Sequence, residues 1–132
     1  MTAAGALLKA IHQRVSGDPA LATIIGPDGL YDRLLARPKF PCIVFGDMET
    51  RDYSTGTEPG EEHFLTLEIW SDADGRRQVQ EIAGLLGEVL AGIEPALEGA
   101  ALVNLVMTGL KIARQPKTRF YLAEMRLRAV TE

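Results

Sequence analysis

Glu61-Glu62-His63-Phe64-Leu65-Thr66-Leu67-Glu68-Ile69-Trp70-Ser71 alternates without a break. Successive side chains of an extended chain point to opposite sides, so Leu65, Leu67 and Ile69 share one face while Phe64, Thr66, Glu68 and Trp70 share the other. The stretch is a strand, and it carries large apolar groups on both faces. Beyond Ser71 the period changes: Val79, Ile82, Ala83, Leu86, Val89, Leu90 and Ile93 recur at i, i+3, i+4, i+7, the signature of an amphipathic helix. Ser71, Asp72 and Asp74 are its candidate N-caps, and Gly92 and Pro95 end it. Gly84 and Gly87 each weaken such a helix by about 1 kcal/mol relative to alanine, which predicts close backbone packing against another element.

Upstream of the strand, residues 49–60 are rich in Thr, Ser, Asp, Gly and Pro and read as a long, polar, mobile loop. Before it, Cys42-Ile43-Val44-Phe45 reads as a strand reaching toward Met48, with Pro41 suited to its first position. Leu30-Tyr31-Asp32 is a brief edge strand behind the Gly26-Pro27-Asp28-Gly29 loop. The chain opens on a helix over residues 3–16, with Leu7, Leu8, Ile11 and Val15 at helical spacing, and Gly17-Asp18-Pro19 closes it and opens a shorter turn, Pro19–Ile25. At the other end, Leu102–Ala113 and Thr118–Val130 form a hairpin around Arg114-Gln115-Pro116-Lys117. In its second strand Tyr121, Ala123, Met125, Leu127 and Ala129 make the core face. Phe120, Leu122, Glu124, Arg126, Arg128 and Val130 make a mixed face of the kind that meets another protein. The expected fold is α+β: an antiparallel sheet of four to five strands with two main helices packed on one face, in the order α-β-β-α-β-β.

The 132 residues fit one domain, 46% hydrophobic and 24% charged, and no apolar stretch is long enough for a bilayer span. The first residues lack a basic opening and a long apolar run, so the expectation is a chain made and folded in the cytoplasm. Cys42, the single cysteine, lies in an apolar run and reads as a buried, inert thiol. The net charge of −4 is unevenly spread: residues 41–75 carry nine acidic groups and one basic, residues 99–132 six basic and two acidic. Such segregation is either a solvated surface pattern or the basis of complementary contact between neighbouring copies.

Catalytic chemistry has little to stand on. His12 and His63 have no ligand-spaced companions and read as surface or boundary histidines. The acidic set Asp47, Glu49, Asp52, Glu58, Glu61 and Glu62 lacks the oxygen-ligand loop pattern that specifies a cation site. No serine elbow, phosphate-cradling glycine loop or cysteine–histidine pairing is present, so neither a metal nor a cofactor is expected. Lys111, Arg114, Lys117, Arg119, Arg126 and Arg128, with Phe120 and Tyr121 available for stacking, resemble a nucleic-acid patch, but at a pI near 5.2 net repulsion opposes tight nonspecific binding.

Six pieces, in order, resemble the tail-completion, or tail-terminator, family of long-tailed phages and phage-like gene-transfer particles. They are Gly29-Leu30-Tyr31-Asp32, Phe40-Pro41-Cys42-Ile43-Val44-Phe45-Gly46, Gly60 through Ser71, Gly75-Arg76-Arg77, Leu102-Val103-Asn104-Leu105, and the ending Leu127-Arg128-Ala129-Val130-Thr131-Glu132. Cys42 departs from the bulky aromatic expected after Pro41, which alters packing more than role. The resemblance implies a non-enzymatic, ring-forming subunit, hexameric, at the head-proximal end of the tail tube. Its implied partners are further copies of itself, the tail-tube protein and the head–tail connector (stopper) protein. DNA would pass through the lumen without specific binding, and no membrane is involved. The implied place is the tail of a virion or phage-like particle, assembled in the host cytoplasm.

On this reading the expected subunit interface sets the acidic Asp47, Glu49, Asp52, Glu61 and Glu62 of one copy against Arg114, Lys117, Arg119, Arg126 and Arg128 of the next, with Phe64, Trp70 and Phe120 as apolar contacts. The loop residues Arg51, Tyr53, Ser54, Thr55 and Glu58 are expected to dock on tail-tube or connector protein. The alternative reading is a small dimeric α+β ligand-binding or regulatory domain.

Overall fold

A computed structural model describes residues 1–132. The chain begins with helix α1 (Ala3–Ser16), capped by the Thr2 hydroxyl, which accepts from the Gly5 amide at 2.9 Å. Pro19–Ile25, read from sequence as a turn, is a second helix, α2: Asp18 caps it through the Leu21 amide and Pro19 occupies its first turn. Strands β1 (Leu30–Tyr31), β2 (Cys42–Asp52) and β3 (Glu61–Ser71) follow, then helix α3 (Arg77–Ala91), then β4 (Ala96–Leu97), β5 (Ala100–Arg114) and β6 (Tyr121–Thr131).

The sheet runs β1-β2-β3-β6-β5-β4. It has six strands rather than four to five, and it is not wholly antiparallel, because β1 pairs with β2 in parallel. The difference comes from two-residue strands at both edges: β4 adds a short antiparallel pair at Ala96↔Ala101, and neither edge piece is long enough to show a period. The four long strands alternate in direction, β2 against β3, β3 against β6 and β6 against β5.

The helices pack on the inner face of β3, β6 and β5. Leu67, Ile69, Ile82, Leu86 and Met125 are fully or almost fully buried there. Each contributes about 1.5–3 kcal/mol by leaving water. The alternation of β3 holds along its length: His63, Leu65, Leu67, Ile69 and Ser71 are buried and the residues between them half-buried.

Three local expectations change. Residues 49–52 are strand, not loop, because the start of β3 pairs with them from Glu49↔Phe64 to Asp52↔Glu61; the connection shrinks to residues 53–60. The N-cap of α3 is Arg76, with no side-chain capping bond, while the Ser71 hydroxyl bonds Gln78 at 2.5 Å and accepts from the Ala73 amide at 3.1 Å. Gly84 and Gly87 have no neighbour within 4 Å of where a β-carbon would stand, so no element of this chain packs against them.

Candidate functional site

The face of the sheet turned away from the helices gathers most of the residues singled out from sequence. Phe64, Thr66, Glu68 and Trp70 of β3 lie beside Arg128, Arg126, Glu124 and Leu122 of β6. Their side chains interlock. The Arg51 guanidinium stacks 4.8 Å above the Phe64 ring and bonds Glu49 at 3.0 Å. Arg128 donates to Glu62 at 2.6 Å and sits 5.6 Å over the Tyr53 ring. The Trp70 indole N–H donates to Glu68 at 3.1 Å. The Arg51 hydrogen bond holds the Glu49 carboxyl below the usual carboxylate range, and the Glu62 bond keeps Arg128 more firmly protonated than usual.

The connection 53–60 is a hydrogen-bonded cap on one end of this face. The Tyr53 amide donates to the Gly60 carbonyl at 2.9 Å, closing the hairpin. Asp52 accepts from the Ser54 amide and hydroxyl at 3.1 and 2.6 Å, which lowers its pKa. The Thr55 hydroxyl accepts from the Glu58 amide at 3.0 Å. Tyr53, Thr55, Glu58 and Pro59 line a cleft shared with Val103 and Val130.

The structure separates the expected basic patch into two. Arg126 and Arg128 lie toward the acidic hairpin end, and Arg126 shares an open cleft of about 270 Å³ with Asp47, Glu49 and Phe64. Arg114, Lys117 and Arg119 lie at the opposite end of the strands, where Arg114 and Arg119 share a cleft with Asp72 and Asp74. Phe120 there rests on Phe40 of the same chain, ring centroids 4.7 Å apart. Glu61 begins β3 next to Thr131, and Asp47 stands exposed at the irregularity in β2 between Phe45 and Met48.

Sequence reasoning missed two features. His63 is a buried core residue, not a boundary one: its Nδ1 and Nε2 each lie 2.9 Å from a hydroxyl, Thr50 on β2 and Thr131 on β6. Its parity with Leu65, Leu67 and Ile69 was the available signal. Burial lowers its pKa, opposed by the charge of Glu61. The second feature is β5, where Val103, Val106, Met107 and Leu110 are 53%, 45%, 54% and 42% exposed. The signal was an apolar run with no polar parity.

Cys42 is fully buried, and burial followed by the Glu68 charge pushes its thiol up to about 11. No group of three or more His, Cys, Asp or Glu is arranged to hold a metal ion, and no helix is long and apolar enough to cross a membrane. An open cleft of about 410 Å³ lies between α1 and the end of α3, around Arg14, Ile93 and Glu94.

A charged sheet face, a strand edge with exposed apolar side chains and the absence of a metal-binding cluster define a small α+β protein with no evident catalytic centre. The comparisons place it further. The family model described as tail completion protein gp17 matches residues 9–132, and the chain belongs to that family. Among solved structures, a chain in the virion of a native gene transfer agent (GTA) particle is similar: 27% identity, 98% of this chain and 96% of that chain covered, TM-score 0.87. No curated protein sequence matches. The protein is a structural part of a phage-type or gene-transfer-particle tail and not an enzyme.

Proposed function

We infer that copies of this chain close into a ring, hexameric, at the head-proximal end of the tail tube, where the ring halts tube growth and joins the tail to the head connector. The observation that carries this reading is the tail-completion family match over residues 9–132, joined to the close likeness to a chain of a gene-transfer-agent virion. A closed ring needs two different, complementary surfaces on each subunit. The charge layout supplies candidates: Glu49, Asp52 and Glu61 toward the hairpin end of the sheet with Asp47 at the middle of β2, and Arg114, Lys117 and Arg119 at the other end. The hairpin cap, with Tyr53, Ser54, Thr55 and Glu58 at its surface and Arg51 of β2 beside it, is the segment for docking on tube or connector protein. An overall acidic subunit lets DNA slide through the lumen without adhering. The ring assembles in the cytoplasm of the producing cell.

Deleting the gene from a producing strain and imaging the lysate tests this. The expected result is filled heads lacking tails beside free tubes of irregular length. Intact particles of normal tail length would contradict it.

A further inference from the structure

The four long strands form a unit whose two outer edges are both open. At one edge, β4 covers β5 only at Ala100 and Ala101, and the Leu102 amide is taken by Pro95; from Val103 to Arg114 no other segment bonds the outer backbone groups. At the other edge, β1 covers β2 only at Ile43 and Val44, which leaves Phe45–Asp52 open. An open edge 12 residues long with four exposed apolar side chains is a template for another strand. The two windows differ in charge: β5 offers Lys111 and Arg114, β2 offers Asp47, Glu49 and Asp52 against Arg51.

Building on the ring reading, we propose that β5 of one copy pairs with β2 of the next, so that the sheets of neighbouring subunits join edge to edge. The directions allow it. Four strands that alternate bring β5 antiparallel to the β2 of a copy placed head to tail, and the pattern continues without a fault. Side-chain parity narrows the register, and Asp47 is set aside because it stands at the irregularity of β2, where regular pairing is interrupted. Lys111 and Gly109 face outward with Glu124 and Arg126, and Glu49 and Arg51 face outward with Phe64 and Glu62. Lys111 opposite Arg51 sets like charges together. Lys111 opposite Glu49 pairs opposite charges, gives Arg51 the open space above Gly109, and sets Ile112 beside Met48 on the inner side.

That register also has a shape consistent with closure. Glu49 is level with Phe64, Arg128 and Val106 within its own sheet, whereas Lys111 is level with Glu124. The neighbour is therefore staggered by the distance from Arg128 to Glu124 along β6, about 13 Å at ~3.3 Å per residue. Over four strands, about 19 Å wide, this is a tilt of about 35°, within the range of closed sheets.

The test is disulfide trapping in assembled particles that carry Lys111→Cys and Glu49→Cys together, since directly opposed strand residues lie within disulfide reach. Oxidation is expected to give a ladder of cross-linked oligomers ending at the closed ring, while either single variant stays monomeric on a denaturing gel. Efficient dimers from Lys111→Cys alone would mean that β5 pairs with itself and would overturn the proposal. A ring seen by imaging with no ladder would overturn it too, leaving the functional reading intact. Particles whose head–tail joint lacks the chain would remove both. As a second readout, Lys111→Glu should reduce incorporation at least about tenfold and Glu49→Lys in the same chain should restore most of it. Equal incorporation of Lys111→Glu and the unaltered chain would contradict the register.

Discussion

Replacing His63 by glutamine tests how the hairpin is tied into the core. His63 is wholly enclosed, and its two ring nitrogens bridge Thr50 and Thr131, each at 2.9 Å. In the neutral ring one nitrogen donates and the other accepts, and the hydroxyls rotate to suit. Protonation would place a charge where water cannot reach it, so the folded pKa lies below the ordinary 6.5. The unfolded chain thus takes up the proton first as the pH falls. The stability tied to the neutral ring is intact above 6.5 and is lost as pH drops below it, at up to about 1.4 kcal/mol per pH unit until the folded group also titrates. At that limiting slope, one unit corresponds to at most about 3–5 °C in melting temperature for a domain of this size. Glutamine retains a donor and an acceptor but cannot titrate; it costs about 1–2 kcal/mol at neutral pH and removes this part of the acid sensitivity. Melting curves of both proteins between pH 7.5 and 5.5 read the difference, with the exposed His12 common to both. If the two lose stability in parallel, His63 does not carry the effect.

Alanine at Gly84 or Gly87 should raise the melting temperature of the isolated chain, by about 1 kcal/mol of stability each, since a β-carbon there meets nothing within 4 Å; a destabilised variant in thermal melts would contradict the open helix face. Leu86→Ala removes a fully buried side chain from the core and should cost about 2–5 kcal/mol by denaturant titration, with a loss under about 1 kcal/mol refuting its central place. Cys42, with its thiol near 11 and fully buried, should resist a maleimide at pH 7.5 in native protein and react on unfolding. Rapid native labelling, followed by mass spectrometry, would show that the site opens.

Length and period decided which elements were legible in the sequence. The alternation of residues 61–71 and the helical spacing from Val79 to Leu90 are long enough to fix both elements and their buried faces, and the structure keeps both. The seven residues of α2 and the two-residue strands β1 and β4 are too short for a period to form. The end of β2 was hidden for a different reason: Glu49, Thr50, Arg51 and Asp52 are polar and exposed, and only their cross-strand partners on β3 make them a strand. The charged members of the expected interface rest on charge alone, which says nothing of position. Folding then puts Arg128 against Glu62 of its own chain and carries Arg114, Lys117 and Arg119 to the far end of the sheet. The open edge of β5 could not be read at all, because whether a strand is an edge depends on the order of the whole sheet.

The central claim is that this chain is the ring between tail tube and head. Cryo-electron microscopy of purified particles, with the chain fitted to density along the tail axis, measures this directly. The account predicts a single closed ring of copies at the head-proximal end of the tube, in contact with the connector. Finding the chain repeated along the tube, in the capsid shell or at the distal tip would contradict it.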